Sequence, residues 1–561
     1  MKLVERRYTE RDRQALVAAG VHPLLARLYA ARRIASAGEL RYEPANLHPP
    51  GLLKNLEQGA RLLADAIAAK KRLLIVADYD ADGATACAVG MRALRAFGAD
   101  VEYLVPDRFK LGYGLTPELV DLAAARKPDI LITVDNGIAS VEGVARANAL
   151  GIVTLITDHH LPGAELPAAA CIVNPNQPGC VFPSKALAGC GVMFYLMVAL
   201  RAELRKRKHE NSDVHLGALT DLVALGTIAD VVPLDANNRN LVSQGLKRLR
   251  GGRGHAGINA LLRAAGRAPG EASSFDLGFV AGPRLNAAGR LADMTLGIEC
   301  LITDDEARAA NCADALDKLN RDRRKIEAGM LEQATQHLKA VAESGSTFFN
   351  PDWHEGVVGI LASRLKDRLH LPVICFARSV SSAPSGGLLL KGSGRSIPAL
   401  HLRDCLDLVS KRAPGLILRF GGHAQAAGLT IAESAYATFT QTFERALEEL
   451  LPADARQRVV ETDGGLETEH FSLNTARMLE AEIWGQGFPQ PLFCDNFAVE
   501  NQRVVGERHL KLQLQKDGKR YEAMRFGSLE PLPTKLRAAY RLAVNEFNGL
   551  KSVQLNVEHY E

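Results

Sequence analysis

The sequence has few cysteines and no long uncharged apolar segment. Its nine cysteines are an odd number and include no Cys-x-x-Cys pair, so neither a zinc ribbon nor a disulfide framework is expected. No stretch approaches the roughly 18 apolar residues of a membrane helix, and the N-terminus lacks the apolar core of an export signal. We therefore expect a cytoplasmic protein with reduced thiols and without a membrane span.

A strong excess of one charge is also lacking. The 68 Lys and Arg residues against 64 Asp and Glu residues give a net charge of +4, which permits nucleic-acid binding through local patches without predicting it. The 561 residues are 47% hydrophobic and 24% charged, as is typical of globular proteins. At about 150 residues per domain, this length predicts roughly three to four domains.

Three polar clusters, each directly after a short aliphatic run, are the most informative feature that is present. The runs are typical of buried parallel strands and comprise Leu73–Ala77, Ile130–Val134 and Ile152–Thr157. The clusters that follow them are Asp78–Gly83, Asp135–Gly137 and Asp158–His160. Because the carboxyl ends of neighbouring parallel strands meet at one crevice, we expect these side chains to converge there. A bound divalent cation would relieve the repulsion between their carboxylates.

The residue types favour Mn²⁺ or Mg²⁺. Hard divalent cations prefer oxygen ligands, and manganese also accepts imidazole. Asp80 and Asp82 can each reach a different ion, and Asp135 is placed to bridge the two. His159 is a candidate imidazole ligand, and Asp230 ends a further aliphatic run. Two ions about 3.5–4 Å apart would stabilise both the attacking and the leaving oxygen of a phosphoryl displacement.

Each of these residues, taken singly, has a simpler interpretation. A lone Asp after a strand usually caps a turn or a helix, and an isolated His pair is more often core or surface than ligand. Several such residues at successive strand ends are hard to explain as independent caps, so we favour a shared metal centre. Three carboxylates stay open: Asp78 as a weak ligand, Asp158 as an orienting partner of an imidazole, and Asp221 as a helix cap.

The motifs resemble those of the DHH phosphoesterase superfamily, named for the triplet Asp158-His159-His160, and within it the RecJ family of bacterial single-strand-specific 5′-to-3′ DNA exonucleases. The resemblance covers essentially the whole chain. Its other specific motifs are GTIADVVPL at 226–234, PRLNAAGR at 283–290, WHEGVVGILASRL at 353–365 and GGHAQAAG at 421–428. It implies hydrolysis of single-stranded DNA with two Mn²⁺ or Mg²⁺ ions, in DNA repair and recombination.

The resemblance also implies roles for single residues. The implied metal ligands are Asp80 for one ion, Asp82, His159 and Asp230 for the other, and Asp135 as the bridge. His160 is implied to contact the scissile phosphate, so His160 and Asp135 are the catalytic candidates. One departure matters. Many superfamily members carry a His four residues before the first carboxylate, where this chain has Val76. The first site is therefore expected to be weaker, or to be completed by Asp78 or water.

Three other segments are candidates for substrate binding. Arg284 and Arg290 flank Asn286, and guanidinium groups suit phosphate, although either Arg can instead form an internal salt bridge. The segment 392–396 has the composition of a phosphate-cradling loop, and the glycines of 421–428 permit close approach to a ligand. The substrate-binding candidates are Arg284, Asn286, Arg290, Ser393, Arg395, Ser396, Gly422 and His423. The resemblance implies that Ser393 and Arg395 hold the 5′ phosphate.

The predicted fold is α/β, with a parallel-sheet catalytic domain, a long connecting helix, a second α/β domain and a C-terminal OB-like β domain. Strands and helices alternate from about 70 to 160, as in a doubly wound sheet. The predicted boundaries are an N-terminal arm at 1–50 packed on the first domain, a DHH-type catalytic domain at 51–304, a connecting helix at 305–343, a substrate-binding domain at 344–455 and an OB-like domain at 456–561. A break at Gly329 would give two helices instead of one.

The C-terminal segment alternates with period two. Leu510, Leu512 and Leu514 are expected on one face of a strand, which predicts an antiparallel β domain. Cations and aromatic side chains on it are candidates for binding a strand of DNA: Lys511, Lys516, Lys519, Arg520, Tyr521, Arg525 and Phe526. A solvated charged face explains the cations equally well, and Phe526 can equally belong to the core.

The sequence thus predicts an exonuclease whose partners are single-stranded DNA with a 5′ end and, by resemblance, a single-strand-binding protein and a helicase. Two alternatives stay open. One is a related oligoribonucleotide or cyclic-dinucleotide phosphodiesterase or pyrophosphatase, which would not require the OB-like domain. The other is a non-catalytic replication scaffold on the same fold, which would be expected to have lost its metal ligands.

Overall fold

A computed structural model describes residues 2–107, 113–340, 346–379, 387–452, 455 and 457–561. The chain divides into two compact units, and each is described by itself. The first contains Met1–Asn286, Met294–Asp314 and Val459–Glu561, and the second contains Ala287–Asp293 and Ala315–Arg458.

The first unit begins with an arm followed by a parallel α/β layer. Its elements up to residue 173 are β1 (Lys2–Glu5), α1 (Glu10–Ala18), α2 (Pro23–Ala30), α3 (Leu56–Ala68), β2 (Arg72–Ala77), α4 (Ala81–Ala96), β3 (Asp100–Leu104), α5 (Pro117–Ala124), β4 (Ile130–Val134), α6 (Val141–Ala149), β5 (Val153–Thr157) and β6 (Cys171–Val173). Strands β2–β6 form a parallel sheet in the order β3-β2-β4-β5-β6. The predicted doubly wound alternation is confirmed, with differences only at element ends.

The register of this sheet aligns the ends of its central strands. Ala77 pairs with Val134, and Val134 pairs with Thr157, so β2, β4 and β5 end side by side. The residue after each strand continues the ladder. The Asp135 amide donates to the Thr157 carbonyl at 3.0 Å, and the Asp158 amide donates to the Val173 carbonyl at 3.2 Å. The predicted convergence of Asp78, Asp135 and Asp158 follows from this alignment.

A helical layer follows the sheet. Its elements are α7 (Gly189–Lys206), α8 (Thr220–Ala229), α9 (Ala236–Arg250), α10 (Ala256–Ala264), a π-helical segment (Asp276–Ala281), α11 (Gly282–Leu291) and α12 (Thr295–Ile302). The aliphatic run before Asp230 is helix α8, which is apolar on nearly all sides because it is buried between α4, α7 and α9. Asp230 therefore lies at the end of a helix, in contrast to the carboxylates that follow strands.

Helix α13 (Glu306–Ala340) is a single 35-residue element. It continues through Gly329, next to which there is open space, so the alternative of two helices is wrong. An interior glycine costs a helix only about 1 kcal/mol. Residues 341–343, which the sequence assigns to the same helix, lie outside the described residues.

The second unit contains a mixed sheet covered by helices. Its further elements are β7 (Thr347–Phe349), α14 (Val358–Leu369), β8 (Val373–Arg378), β9 (Leu389–Arg395), α15 (Leu402–Arg412), β10 (Arg419–Gly422), β11 (Ala426–Ala432) and α16 (Tyr436–Leu450). The strand order is β10-β11-β9-β8-β7, in which only β7 and β8 are parallel. The predicted phosphate-cradling loop at 392–396 is wrong, because Gly392–Arg395 belong to β9, which is bonded to strands on both sides. Strands β8 and β9 pair in antiparallel orientation, and residues 380–386 between them lie outside the described residues.

The C-terminal part of the first unit is a closed five-stranded barrel. Strand β12 (Val459–Thr462) and helix α17 (Leu473–Ala481) precede β13 (Phe493–Val505), β14 (His509–Lys516), β15 (Lys519–Arg525), β16 (Lys535–Phe547) and β17 (Leu550–Tyr560). The barrel closes in the order β13-β14-β15-β17-β16. Leu510, Leu512 and Leu514 are at most 2% exposed, which confirms the predicted alternation. One pair, β15 with β17, is parallel.

The N-terminal arm contacts both the helical layer and the segment before the barrel. Strand β1 pairs in parallel with β12, and the side chains of Arg32 and Asp463 form a buried ion pair at 2.8 Å. On the other side, the His48 amide donates to Asn237 at 3.0 Å. The sequence predicts the packing of the arm on the catalytic domain, but it does not predict the pairing of β1 with β12, because these strands lie near opposite ends of the chain. Within the described residues, no helix has the length and apolarity needed to cross a bilayer.

Candidate metal centre

The turn after β2 holds the first two carboxylates of the centre. Asp80 caps helix α4, and its Oδ1 accepts hydrogen bonds from the amides of Asp82 and Gly83 at 2.9 and 3.0 Å. The Asp82 carboxylate, 1% exposed, accepts from the amides of Gly189 and Cys190 at 2.6 and 2.9 Å. These two amides are the first of helix α7, so the positive end of that helix holds the buried carboxylate in place.

Asp135 follows β4 in a left-handed backbone conformation, with φ of +63°. Asp tolerates this conformation better than most residues do. The first residue of α7 approaches it so closely that a Cβ on Gly189 would lie 2.7 Å from the Asp135 Oδ1 atom. Only glycine fits between these two segments without displacing the carboxylate.

His159 faces three carboxylates with one nitrogen. Its Nε2 lies 3.1 Å from Asp135 Oδ1, 3.4 Å from Asp230 Oδ2 and 3.9 Å from Asp82 Oδ2. Both His159 Nε2 and Asp135 Oδ1 are buried without a hydrogen-bond partner. Buried polar atoms are rarely left so unless another group, such as a cation, completes them. The donor set of one imidazole and several carboxylates fits Mn²⁺ and, through its oxygens, Mg²⁺.

Three overlapping groups of side chains each bring one ligand atom per residue within 4.8 Å of one another. They are Asp82, His159 and Asp230; Asp78, Asp80 and Asp135; and Asp135, His159 and His160. Asp135 belongs to two of these groups, as a shared ligand must. Val76 is fully buried in β2 and cannot contribute, whereas Asp78 lies in the group with Asp80. The sequence leaves either Asp78 or water to complete the first metal site, and the position of Asp78 beside Asp80 favours Asp78.

Burial and mutual repulsion oppose full ionisation of the cluster. Burial, and then the charges of Asp82, Asp80 and Asp230, raise the pKa of Asp135 well above its usual range. The pKa of Asp230 is raised well above its usual range by burial and by Asp82 and Asp80, and burial also raises the pKa of Asp82. A divalent cation stabilises the ionised carboxylates, so its binding must displace protons from this site.

Asp158 fixes the loop that carries the two histidines. Its Oδ2 accepts from the Ile138 amide at 2.9 Å, while Oδ1 accepts from the amides of His159 and His160 at 2.7 and 3.0 Å and lies 2.8 Å from His160 Nδ1. Burial would by itself raise the pKa of Asp158, but the hydrogen bond and charge of His160 lower it. In turn, burial would lower the pKa of His160, but Asp158 and the more distant Asp230 and Asp78 raise it to about 9. The structure supports the interpretation of Asp158 as an orienting partner.

Several residues of the centre carry no signal in the sequence. Val231, directly after Asp230, has φ of +63° although it is β-branched, a conformation that costs roughly 1–2 kcal/mol. The Tyr113 hydroxyl lies 3.3 Å from the ring nitrogens of His160. Asn174 and Asn176 donate to the carbonyls of His160 and His159 at 3.0 and 2.6 Å. Asn side chains after a strand suggest a turn, but only the fold brings these two under the histidine loop.

The segment 283–290 divides between the two units. In the first unit, Asn286 Oδ1 accepts from the Ala81 amide at 2.9 Å, so Asn286 supports the turn between Asp80 and Asp82. Arg284 is 8% exposed and donates to the Val280 carbonyl at 2.7 Å. In the second unit, Arg290 donates to the Gly356 carbonyl at 3.3 Å. Each Arg thus donates to a backbone carbonyl within the fold, and the alternative of an internal salt bridge stays a prediction.

The candidates on β9 and the β10–β11 hairpin lie in the second unit. Arg395 Nη1 lies 3.2 Å from Ser393 Oγ, and a Cβ on Gly359, near the first turn of α14, would lie 2.8 Å from Ser393 Oγ. Ser396 is 2% exposed, and its hydroxyl donates to the Leu400 carbonyl. Gly422 ends β10, and the amide of His423 donates to the Ala426 carbonyl, which closes the hairpin turn. Ser393 and Arg395 are thus together at a helix start, whereas the Ser396 hydroxyl is occupied internally.

Asp221 and the barrel candidates lie apart from this chemistry. Asp221 is buried and pairs with His255 at 2.8 Å, a structural contact between α8 and α10. On the barrel, Tyr521 is 9% exposed and packs against Phe471, so its predicted stacking on bases is wrong, whereas Phe526 is 56% exposed. The cations with internal partners are Lys511 with Glu522, Lys516 with Asp495, Arg520 with Glu500 and Arg525 over the ring of Tyr560. These pairs favour a charged, solvated face.

Comparisons with known proteins find relatives that are similar over nearly the whole chain. Family models match three segments: the DHH family N-terminal domain at 72–227, the DHHA1 domain at 339–449 and the RecJ OB domain at 462–559. The chain is 48% identical to the single-stranded-DNA-specific exonuclease RecJ of Dickeya dadantii, over 96% of this chain and 95% of that protein.

Solved structures of RecJ from Thermus thermophilus are similar over the whole chain. The Mn²⁺ complex superposes with a TM-score of 0.82 at 29% identity and covers 100% of this chain and 79% of that one. The Mg²⁺ complex gives a TM-score of 0.75 at 28% identity, with 100% and 78% coverage. These similarities show that the chain belongs to the RecJ family of the DHH phosphoesterases.

Proposed function

We propose that this chain is an exonuclease dependent on Mn²⁺ or Mg²⁺ that hydrolyses single-stranded DNA from its 5′ end. The observation that carries the proposal is the position of Asp135, which belongs to the Asp78 and Asp80 group and also approaches His159. Such an arrangement suits two ions that share one carboxylate. Its context in a chain closely related to single-stranded-DNA-specific exonucleases supports DNA as the substrate.

We assign the ligands as two sets. Asp80 and Asp78 would hold the first ion, and Asp82, His159 and Asp230 would hold the second, with Asp135 between them. When bound, the ions would neutralise the phosphate charge and activate a water molecule for in-line attack. The protein's part is to keep the ligands fixed before the ions arrive, through the helix starts at Asp80 and Gly189.

His160 would contact the scissile phosphate. Asp158 binds its Nδ1, so Nε2, which has the Tyr113 hydroxyl at 3.3 Å, is the nitrogen that would donate to a phosphate oxygen. The ring is partly exposed and lies beside His159, with ring centroids 4.6 Å apart. An oriented imidazolium in this position stabilises negative charge that develops on the phosphate in the transition state.

The 5′ phosphate would be held in the second unit. Ser393 offers a hydroxyl, Arg395 offers a guanidinium, and both lie beside Gly359 in the first turn of α14, where the positive end of the helix dipole favours an anion. Arg284, Asn286, Arg290, Ser396, Gly422 and His423 would support the substrate path or its surrounding segments. An end-specific phosphate site of this kind would give the enzyme its polarity.

The proposed division is a catalytic domain at 51–304, a connecting helix at 305–343, a substrate-binding domain at 344–455 and an OB-like domain at 456–561, with the arm at 1–50. The matched segments at 72–227 and 462–559 fall within the first and last of these domains, which supports the division. A role in DNA repair and recombination, with a single-strand-binding protein and a helicase as partners, belongs to the same proposal.

The proposal is tested with Mn²⁺ and four substrates: a single strand labelled at the 5′ end, the same strand labelled at the 3′ end, a duplex and a dinucleotide. We expect mononucleotide release from the 5′ end of single strands and little cleavage of the duplex. Asp135→Asn should abolish hydrolysis while single-strand binding persists, because it removes the shared charge. Asp121→Asn, an exposed carboxylate on α5 that pairs with Arg146, is the matched control and should leave hydrolysis unchanged.

The other possible outcomes would each contradict the proposal in a different way. Faster cleavage of the dinucleotide than of the long strand would indicate an oligonucleotide phosphodiesterase. Binding of single strands without any metal-dependent cleavage would indicate a scaffold. Undiminished cleavage by Asp135→Asn would refute the assignment of the metal centre.

A further inference from the structure

Two exposed phenylalanines stack on each other at the start of the helix that continues into α11. Phe275 directly precedes the π-helical segment Asp276–Ala281, and Phe279 lies within it. Phe275 is 50% exposed and Phe279 is 66% exposed. Their rings lie 4.9 Å apart and are inclined by only 23°. Burial of a Phe side chain is worth roughly 1.5–3 kcal/mol, so two neighbouring exposed rings on an ordered element are unusual in a surface without a ligand.

The helix that carries the two rings is held firmly. At its start, the Ser273 amide and hydroxyl donate to Asp276 Oδ2 at 2.9 and 2.7 Å, and Ser274 accepts from the Trp484 amide at 3.2 Å. Residues 276–281 form a π-helical turn, a local widening that is frequent at functional sites. The rings are therefore presented by a fixed support and not by a loose loop.

The same helix packs against residues next to the metal-centre side chains at two places. Gly278 lies between the two phenylalanines in the sequence, and a Cβ added to it would lie 2.9 Å from the side chain of Ile228. Ile228 is in the last turn of α8, directly after which Asp230 follows. Farther along, Asn286 bonds the Ala81 amide between Asp80 and Asp82. From Phe279 to Asn286 the helix rises about 10 Å, at about 1.5 Å per residue. A few nucleotides of single-stranded DNA can span this distance.

We propose that Phe275 and Phe279 are a stacking platform for bases of the substrate strand, a few nucleotides to the 3′ side of the bond that is cleaved. Aromatic rings bind bases of every sequence because each base has a π face, which suits an enzyme that must advance along any strand. Bases in a duplex are already stacked on each other, so the platform also favours single strands. This inference rests on the proposed function.

The platform has consequences for substrate length. A dinucleotide reaches the metal centre without reaching the rings, whereas a longer strand reaches both. The double variant Phe275→Ala/Phe279→Ala should therefore raise KM for a long single strand by at least about fivefold, as the loss of base stacking predicts. Its kcat for the long strand and its slow cleavage of a dinucleotide should stay near the wild-type values, because no metal ligand is altered.

The decisive experiment combines these variants with a strand that lacks bases near its 5′ end. If the rings stack on those bases, removal of the bases raises KM for the wild type, and the double variant then adds little further loss. Leu122→Ala, at an apolar position on α5 that is 49% exposed, is the control and should behave as the wild type on both strands. Additive losses from the variant and the missing bases would overturn the proposal, as would an unchanged KM on the complete strand.

A second measurement does not depend on activity. In Phe279→Trp, binding of oligo-dT with EDTA present should quench the added indole fluorescence, as expected for a ring that stacks on a base. Unquenched fluorescence at saturating DNA would contradict the platform. Absence of all cleavage by the wild type would instead refute the proposed exonuclease function, so the two failures are distinguishable. A protein partner as the occupant of these rings would be indicated if neither DNA measurement responded to the substitutions.

Discussion

Gly189→Ala isolates the close contact between helix α7 and Asp135. The substitution keeps the backbone amide that donates to Asp82, so a single methyl group is the only change in the centre. That methyl would lie 2.7 Å from Asp135 Oδ1, about 0.7 Å closer than the 3.4 Å at which ordinary van der Waals contact begins. Either the carboxylate rotates away from His159 or the start of α7 moves, and both disturb the ligands.

The size of the effect follows from the cost of overpacking, which is typically about 1–3 kcal/mol. If that cost falls on the carboxylate in its metal-binding position, the affinity for Mn²⁺ weakens by roughly 5- to 150-fold, because about 1.4 kcal/mol corresponds to a factor of ten. Hydrolysis at subsaturating Mn²⁺ should fall by the same factor, and added Mn²⁺ should restore part of it. Isothermal titration with Mn²⁺ and cleavage of a 5′-labelled strand measure the two quantities.

Gly329→Ala is the matched control for this prediction. It is also a helical glycine, but a Cβ there meets open space. It should stabilise α13 by up to about 1 kcal/mol and leave Mn²⁺ affinity unchanged. Wild-type affinity and hydrolysis in Gly189→Ala would refute the inference that Asp135 is confined by the start of α7.

The remaining predictions concern stability. Asp463→Ala removes the partner of Arg32, whose side chain is 1% exposed, and should destabilise the fold by about 3–5 kcal/mol in urea unfolding. Asp304→Ala, whose carboxylate is 83% exposed in its pair with Arg92, should cost less than about 1 kcal/mol, and equal losses would contradict this reasoning. For the metal-free protein, the raised pKa values of Asp135 and Asp230 mean that the folded state binds more protons than the unfolded state above pH 3.8, so these groups destabilise the fold as pH rises. Mn²⁺ should therefore raise the Tm more at pH 8 than at pH 6, and a smaller shift at pH 8 would contradict the linkage.

The sequence was most informative where the chemistry follows directly from the strand pattern. Ala77, Val134 and Thr157 end neighbouring parallel strands, and a parallel register leaves the next residue of each at the same edge. The position of Asp78, Asp135 and Asp158 was therefore predictable from period and composition. Asp230 was harder to place, because an aliphatic run of this length fits a buried helix as well as a strand.

Short glycine-rich segments were misleading. The run 392–396 has the composition of a loop, yet Gly392 and Gly394 are buried residues of strand β9. Their missing side chains leave room for Phe376 and Leu402, which pack against them. Glycine in a strand marks close packing as often as a turn. The distinction depends on neighbours from β8 and α15, which no local pattern contains. Ser393 and Arg395 stay together nevertheless, because alternate residues of a strand share a face.

Exposure of aromatic residues was the least predictable property. Tyr521 and Phe526 are close together in the sequence, but the first packs in the barrel against Phe471 and the second lies at the surface. Phe275 and Phe279 have the i, i+4 spacing that usually indicates the apolar face of a helix. In the structure, Gly278 faces Ile228, and the two rings lie outside this contact. A pattern that normally predicts core thus marks an exposed aromatic surface here, because the helix turns its small residue and not its large ones toward the helix that ends before Asp230.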